Sequence, residues 1–279
     1  MAERRLLCFG LGYSARAFAR LLGAEWTVVG TTRGGDAGST RFDREHPLSP
    51  ANFAGVTHIL ASIPPDAAGD PVLDCHAADI AGLKDLRWLG YLSTTGVYGT
   101  RDGGWVDETS ELRPIGARGA HRVAAEAGWL DLWRARGVPA HVFRLAGIYG
   151  RGRSAFDALR AGTAKRIDSG VQVFSRIHVD DIATVLLASI ARPRPGAVYN
   201  VCDDEPAAPG DVVTHAAGLI GVEPPPLVPL AEANLTPMAK TFYADNKRVS
   251  NALIKQELGV ALAYPNYRAG LSAVLAAGG

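Results

Sequence analysis

A short glycine-containing loop near the start of the chain limits the possible folds more than any other feature. The segment "FGLGYSARAF" places Gly10, Gly12 and Ala15 in a GxGxxA pattern between an apolar run and a stretch with helical spacing. The first glycine permits a tight turn, the second lets the backbone approach a pyrophosphate, and the alanine lets the helix pack closely on the strand. The N–H groups that begin such a helix attract phosphate oxygens. The pattern therefore predicts a dinucleotide-binding strand–loop–helix unit.

Strand-like and helix-like runs alternate along the first half of the chain. Apolar, strand-like runs occupy positions 5–9, 25–33, 57–65, 86–94 and 138–150, and the run 25–33 is rich in β-branched residues. Helical spacing marks positions 14–22 and 119–137. Alternation of this kind is typical of a parallel sheet covered by helices on both faces. Beyond position 150 we expect shorter strand–helix units, a proline-rich linker or surface segment over 222–237 and a last helix near 246–258.

Charge, cysteine content and hydropathy exclude several classes of protein. A formal net charge of +1 gives no sign of a nucleic-acid partner. The three cysteines, Cys8, Cys75 and Cys202, are scattered without metal-ligand spacing and predict neither disulfides nor a metal site. No run approaches the roughly 18 apolar residues of a membrane helix. We therefore expect a cytoplasmic protein with a small-molecule ligand and no membrane partner.

The end of the second predicted strand indicates which dinucleotide is bound. NAD-binding proteins usually carry an acidic residue there for the ribose 2′-hydroxyl, whereas this chain has "GTTRGG" and no acid before Asp36. Thr32 and Arg33 can hold a 2′-phosphate, so NADP is favoured and NAD stays open; the alternative is that Arg33 is an ordinary surface arginine. Asp43 follows a third strand and can approach the adenine. The other candidate cofactor ligands are Tyr13, Ser14 and Ser62.

Five later segments carry a family resemblance. They are "STTGVYG" (93–99), "AHRVAAE" (120–126), "RLAGIYGRGR" (144–153), "IHVDDIA" (177–183) and "VYNVCDDEP" (198–206). In this order they resemble the extended short-chain dehydrogenase/reductase family of the NAD(P)-dependent epimerase/dehydratase type. The resemblance implies an α/β fold with a Rossmann doubly wound parallel sheet and a small C-terminal substrate (cap) domain. We assign residues 1–153 to the first, which also recruits 177–203, and residues 154–279 to the second. A homodimer through the helices around 120–126 is implied by analogy.

The resemblance also implies catalytic positions. The family's Ser or Thr, four positions before the Tyr of the "VYG" turn, corresponds to Thr94, whose hydroxyl would bind the substrate oxygen; the alternative is a turn or helix-cap hydroxyl. Tyr98 and Tyr149 are interpreted as packing residues. The family's Tyr-x-x-x-Lys pair falls on Arg118 and Arg122.

Two arginines in place of that pair leave three interpretations open. Arginine titrates above pH 12 and exchanges no proton near neutrality, although Arg122 can still anchor the nicotinamide ribose. In the first interpretation the chain is an enzyme in which Arg118 binds an anionic substrate group. In the second it is an NADP-binding sensor with little turnover. In the third both arginines are solvated, and Glu126 pairs with Arg122.

Few other residues could replace the missing acid. The candidates are His121, which should face away from Arg122, the sequence neighbours Asp107 and Glu108, and the "IHVDDIA" residues His178, Asp180 and Asp181, for which we expect structural roles. The predicted function is that of an oxidoreductase or epimerase/dehydratase-like enzyme acting on a small hydroxyl- or carbonyl-bearing substrate. The sensor is the alternative.

Overall fold

A seven-stranded parallel sheet forms the centre of the molecule. The computed structural model describes residues 4–279 except 37, 237–239, 241 and 242. The strands of the sheet are β1 (Arg4–Phe9), β2 (Trp26–Thr32), β3 (Thr40–Arg41), β4 (His58–Ala61), β5 (Trp88–Thr94), β7 (Ala140–Leu145) and β11 (Val198–Val201). Their order is β11-β7-β5-β4-β1-β2-β3, and every neighbouring pair is parallel. The predicted α/β fold with a Rossmann-type doubly wound sheet is confirmed.

Helices cover both faces of this sheet. The described helices are α1 (Tyr13–Leu21), α2 (Pro71–Ala81), α3 (Gly116–Arg136), α4 (Ala155–Arg160), α5 (Val179–Ala191), α6 (Pro209–Leu219), α7 (Ala252–Leu258) and α8 (Tyr267–Ala276). Side chains alternate along β1, so that Leu6 and Cys8 join one apolar core while Leu7 and Phe9 join the other. The first core includes α1 and α5, and the second includes α2 and α3. Burial on both faces explains why these strands are almost continuously apolar.

The sequence analysis did not predict helix α2, although its start carries clear signals. Asp70 is the N-cap residue, and its carboxylate accepts hydrogen bonds from the backbone N–H groups of Val72 (2.9 Å) and Leu73 (3.2 Å). Pro71 occupies the first helical position, where its missing N–H costs nothing.

The expectation of one strand over 138–150 is wrong in detail. The run is divided at Ala146, whose N–H donates to the carbonyl of Val201, the last residue of β11. Because β11 ends there, the chain after Ala146 no longer pairs with β11. The N–H of Gly147 donates instead to the carbonyl of Ser175. Strand β8 (Gly147–Tyr149) therefore pairs with β10 (Arg176–His178) in a separate two-stranded sheet.

Two further differences concern the last part of the chain. The proline-rich segment contains strand β12 (Leu227–Pro229), which pairs with β9 (Arg166–Asp168). Strand β13 (Arg248–Val249) pairs in the same way with β6 (Trp105–Val106). The helix expected near 246–258 is α7, and α8 follows it, so α7 is not the last helix.

A third, smaller core belongs to the cap. It joins Phe156 of α4, Ala216 of α6, and Tyr267 and Leu271 of α8. The domain boundary at position 153 stays a prediction. The main sheet includes β11, and α5 packs on α1. Both elements lie within residues 177–203, which the sequence analysis placed with the first domain. Among the described helices, none combines the length and apolar character needed to cross a bilayer.

Candidate active site

The glycine loop lies at the carboxyl end of β1, where the strand order reverses between β1 and β4. Gly10 has a φ of +85°, its N–H donates to Thr31 Oγ1 (3.0 Å), and its carbonyl accepts from Ser62 Oγ (2.5 Å). A Cβ at Gly12 would meet nothing within 4 Å, so the loop is open on that side. Ala15, 1% exposed, packs into the core as expected.

Helix α1 begins directly after this loop. Gly12 is its N-cap and provides no side chain to bond the first helical N–H groups, and these groups have no hydrogen-bond partner among the residues that the structure describes. Tyr13 is the first helical residue, and its hydroxyl donates to the carbonyl of Arg151 (3.0 Å). Ser14 is only 8% exposed. Backbone donors, rather than the Ser14 side chain, are thus the accessible groups here.

The two residues proposed to hold a 2′-phosphate differ in availability. Thr32 Oγ1 accepts hydrogen bonds from the N–H groups of Gly35 (3.0 Å) and Asp36 (3.3 Å), and shares another with Ser39 Oγ (2.8 Å). Its hydroxyl therefore closes the turn after β2. Arg33 is exposed and makes no hydrogen bond or ion pair with any residue that the structure describes. Within the part of the chain that the structure describes, the donors of its guanidinium are unused.

Asp43 lies just beyond β3, at the same edge of the sheet. Its Oδ1 accepts from the backbone N–H groups of Glu45 and His46 (2.9 Å each) and lies 2.7 Å from His46 Nδ1. The hydrogen bond from His46 holds the pKa of this carboxyl below its ordinary value. Asp43 is thus an ionised turn residue whose other oxygen, Oδ2, lies 3.5 Å from Arg41 Nε.

Two hydroxyls at the end of β5 have different surroundings. Ser93 is buried and donates to Glu126 Oε1 (2.5 Å). Thr94 is half-buried, and its Oγ1 accepts from the N–H of Gly96 (3.1 Å). Because Thr94 acts only as an acceptor in that bond, its hydroxyl proton remains available to another oxygen.

Helix α3 places Arg122 against β5. Its Nη1 donates to the carbonyl of Leu92 (2.5 Å) and to Tyr91 Oη (3.2 Å), and its guanidinium lies 5.7 Å from the centre of the Tyr91 ring. Arg118, one turn earlier, is exposed and has no hydrogen bond or ion pair within the described residues. His121 is half-buried and lines a separate cavity of about 290 Å³ between α2 and α3.

The pairing of Glu126 with Arg122, which the third interpretation includes, is wrong. Glu126 is buried and bonds instead to Arg144 of β7, with 2.7 Å between Arg144 Nη2 and Glu126 Oε2. Arg144 Nη1 also donates to Tyr98 Oη (2.8 Å), which donates to Asn200 Oδ1 (2.7 Å). The sequence signal for this network was a charged residue inside each of two apolar segments, "VFRLA" and "VAAEA".

Tyr98 and Tyr149 have the packing positions expected of them. Tyr98 is 0% exposed, and burial raises its pKa to about 12. Tyr149 is 8% exposed; burial and the nearby Asp203 raise its pKa above the ordinary value for a tyrosine.

The neighbours Asp107 and Glu108 are held by local hydrogen bonds. Asp107 Oδ1 accepts from Thr109 Oγ1 (2.7 Å), Thr109 N (3.0 Å) and Ser110 Oγ (3.1 Å), which lower its pKa. Glu108 Oε1 accepts from the N–H of Asn200 (2.7 Å), while burial raises its pKa. Asp107 therefore stabilises a turn as an anion, and Glu108 attaches its loop to β11.

The "IHVDDIA" segment has the structural roles that the sequence suggests. His178 is the N-cap of α5, and its Nδ1 accepts from the N–H of Asp180 (3.2 Å). Burial lowers the pKa of His178, which favours its neutral form. Asp181 accepts from the N–H groups of Ala263 (2.8 Å) and Tyr264 (3.0 Å) and so holds the chain that precedes α8.

A cavity of about 390 Å³ lies between β8, β10 and the cap helices. Its lining includes the aromatic residues Tyr149 and Tyr267 and the cations Arg153 and Arg176. Arg176 Nη1 donates to two backbone carbonyls, at 2.8 and 2.9 Å. Asp203, electrostatically coupled to Arg176, is 1% exposed, and burial raises its pKa to about 8. The sequence analysis missed this acid, because burial cannot be inferred from "CDDEP" alone.

Solved structures share this architecture. A functionally unknown conserved protein from Silicibacter pomeroyi DSS is 52% identical, with a TM-score of 0.91 over 98% of this chain and 99% of that one. The dTDP-glucose 4,6-dehydratase from Bacillus anthracis str. Ames, solved in complex with NAD, is 16% identical, with a TM-score of 0.76 over 98% and 96% of the two chains. The similarity to the dehydratase is therefore a similarity of fold alone.

Curated relatives match shorter stretches. Protein YeeZ from Escherichia coli (strain K12) is 29% identical over 177 residues, which are 63% of this chain and 58% of YeeZ. The 3-diazoavenalumate denitrifying reductase from Streptomyces sp is 32% identical over 138 residues, 47% of this chain and 45% of the reductase. This chain therefore spans less than two thirds of the length of either relative.

The family comparison agrees with the fold. Residues 42–202, more than half of the chain, match the NAD dependent epimerase/dehydratase family. The chain belongs to the NAD-dependent epimerase/dehydratase family.

Proposed function

We propose that the chain is an NADP-dependent oxidoreductase or epimerase/dehydratase-like enzyme that acts on a small substrate with a hydroxyl or carbonyl group. One observation carries the proposal: the open glycine loop after β1 and the available hydroxyl proton of Thr94 after β5 lie at one edge of the sheet, with only β4 between those strands. Ligands of doubly wound sheets bind at this edge, where the strand order reverses. A cofactor and a substrate can therefore meet there.

The residues of the loop fit a dinucleotide. The free N–H groups of α1 and the open side of Gly12 leave room for a pyrophosphate. Arg33 offers unused donors to a 2′-phosphate, which favours NADP within a family described as NAD-dependent. A bound nicotinamide would accept a hydride from the substrate carbon or supply one to it.

The other side chains of the proposed site bind the substrate or the cofactor and do not transfer protons. In the proposal the hydroxyl of Thr94 donates to the substrate oxygen, and Arg122 turns part of its guanidinium to the nicotinamide ribose. Arg118 contacts an anionic group of the substrate. Since neither arginine exchanges a proton near neutrality, a different group or water must carry the proton. The proposal also includes a homodimer through the helices around 120–126.

A second function, that of an NADP-binding sensor, is favoured by one observation. The sequence of α3 contains no tyrosine, and Arg118 is exposed where the family's tyrosine is expected. Binding without turnover would follow if no other group supplied the proton.

Binding and turnover measured on the same preparation separate these functions. We expect NADPH to bind with a measurable Kd in a fluorescence titration and to be oxidised in the presence of at least one member of a carbonyl-compound panel. Binding without oxidation of any compound would favour the sensor. Absence of both NADPH and NADH binding would contradict the proposed cofactor site.

The role of Thr94 is tested by Thr94→Val, which removes the hydroxyl while keeping the side-chain shape. Loss of one preorganised donor to a developing oxyanion lowers kcat by about 10²–10³, and we expect a loss of that order with an unchanged Kd for NADPH. Thr95→Val is the matched control, because Thr95 is the adjacent half-buried hydroxyl. Equal kcat values for wild type and Thr94→Val would show that the hydroxyl is only a turn cap.

A further inference from the structure

The turn between β8 and α4, residues 150–153, rests on the glycine loop. The contact is made by Tyr13, whose hydroxyl donates to the carbonyl of Arg151 (3.0 Å). The guanidinium of Arg153 lies 5.9 Å from the centre of the Tyr13 ring. A segment that leads into the cap is therefore joined to the residue that begins α1.

The backbone keeps this turn in place. The N–H of Gly150 bonds to the carbonyl of Arg153 (3.1 Å), and the N–H of Arg153 bonds to the carbonyl of Gly150 (3.0 Å). A Cβ at Gly150 would lie 2.6 Å from Tyr13 Oη, and the φ of this glycine is +155°. Only glycine allows so close an approach, and the reciprocal bonds fix the direction in which Arg153 leaves the turn.

Arg153 is an exposed cation at the end of this turn. It has no ion pair with any residue of the described chain. Asp157, a few positions along the sequence, is already engaged: its Oδ2 accepts from Ser154 N (2.7 Å) and Ser154 Oγ (2.8 Å). Arg153 also lines the cap cavity, so its side chain lies between that cavity and the glycine loop.

Two sets of donors without a hydrogen-bond partner among the described residues thus meet at Tyr13. Its own N–H is the first of the N–H groups that begin α1, and the guanidinium of Arg153 lies 5.9 Å from the centre of its ring. Both favour an anion, and a pyrophosphate is the anion that the glycine loop is shaped to take. We propose that Arg153 is a cofactor ligand that donates to a phosphate oxygen of the bound dinucleotide, closing the 150–153 turn over the pyrophosphate.

This inference rests on the proposed function, because it requires a dinucleotide at the glycine loop. It adds a ligand that lies far along the sequence from the glycine loop, at the end of the stretch 1–153 assigned to the nucleotide-binding domain. It also gives Tyr13 a role as the residue that positions the turn, through a hydrogen bond to main chain and a ring beneath the guanidinium.

Binding of ADP-ribose, which has the pyrophosphate but no nicotinamide, tests the proposal by calorimetry. Loss of a charge-assisted hydrogen bond should raise the Kd of Arg153→Gln for ADP-ribose about tenfold. The matched control is Arg151→Gln, because Arg151 belongs to the same turn and is equally exposed, yet its side chain contacts no described residue. Its Kd should stay within about twofold of wild type, since it removes the same charge without the hydrogen bond.

Adenosine, which has no phosphate, completes the test. Its Kd should be the same for wild type and Arg153→Gln, and an equal rise for adenosine and ADP-ribose would overturn the proposal. If wild type and Arg153→Gln bind ADP-ribose equally well, the pyrophosphate contact is wrong and the cofactor site stands. That result would also be expected if Arg153 served only the cap cavity. If wild type itself does not bind ADP-ribose, the proposed cofactor site fails.

Discussion

In the proposed cofactor site, the preference for NADP depends on one side chain, that of Arg33. Its neighbour Thr32 is occupied by the turn after β2, so Arg33 provides the free donors at this position. A 2′-phosphate bound there would form charge-assisted hydrogen bonds with the guanidinium.

We therefore expect Arg33→Ser to raise the Kd for NADPH about tenfold or more, because charge-assisted hydrogen bonds to the 2′-phosphate are lost. The Kd for NADH, which lacks that phosphate, should be unchanged. Fluorescence titration of both cofactors measures this, and Arg41→Ser, at another exposed arginine of the same edge, is the control. A wild-type protein that binds NADH more tightly than NADPH would contradict the assignment of NADP.

The two arginines of α3 show what sequence spacing leaves undecided. Positions 118 and 122 share a face of a helix by spacing alone, and the sequence analysis treated them together. In the structure Arg122 is fixed to the carbonyl of Leu92, whereas Arg118 is exposed. The difference arises because α3 packs on β5 along part of its length only, and helical periodicity contains no information about where that contact begins.

At the scale of elements, the buried network of Glu126 and Arg144 connects α3 with the sheet. Glu126 joins Ser93 of β5 to Arg144 of β7, and Arg144 continues to Tyr98 in the turn after β5. The network therefore fixes α3 relative to the strand end that carries Thr94. One of the three interpretations of the sequence gave Glu126 a helix-surface partner, because the (i, i+4) rule considers only one helix, whereas the partner in the structure, Arg144, comes from the sheet.

Removing one charge from this pair should destabilise the protein strongly. Glu126→Gln leaves the guanidinium of Arg144 buried without a counter-ion, which costs about 3–5 kcal/mol in the free energy of unfolding. Urea denaturation at pH 7 measures the loss. The control is Asp131→Asn, which breaks an exposed pair with Arg134 on the same helix and should leave stability nearly unchanged. Equal stabilities of the two variants would show that the buried pair contributes no more than a surface pair.

Strands and helices were predictable from the sequence to different degrees. The apolar runs of β1, β2 and β5 were readable because burial on both sheet faces leaves a continuous signal. The break between β7 and β8 was not readable, because "HVFRLAGIY" is apolar throughout and the chain changes sheets only where β11 ends. Thr94 was located through the family motif, while Asp203 and Arg153 depend on contacts between distant segments, which local patterns do not encode.

At the scale of the whole molecule, two buried histidines of the main sheet should make the stability of the fold depend on pH. His58 of β4 is 4% exposed and His141 of β7 is 0% exposed, and burial lowers the pKa of each to about 4. His141 is held in a neutral form, since its Nε2 accepts from the N–H of Arg194 (2.9 Å). In the unfolded chain both should titrate near about 6.5.

The free energy of unfolding should therefore decrease as the pH falls from about 6.5 to about 4. In this range the two histidines bind protons in the unfolded state but stay neutral in the folded state. Each histidine contributes at most about 1.4 kcal/mol per pH unit. Urea unfolding between pH 7 and 4.5 measures the slope. His141→Gln should reduce it, whereas His121→Gln, at a half-buried histidine outside the sheet, should not. A wild-type stability that is flat over this range would contradict the prediction.

The cap core has a consequence for the order in which the protein can form during translation. Phe156, Ala216 and Leu271 come from three separate parts of the chain, and the last strand of the main sheet ends at Val201. Every strand of that sheet is therefore synthesised before α8, which begins at Tyr267. The cap cavity, which needs Tyr267 for its wall, cannot close until that helix has emerged. The nascent chain can thus assemble its glycine loop before the cap cavity exists.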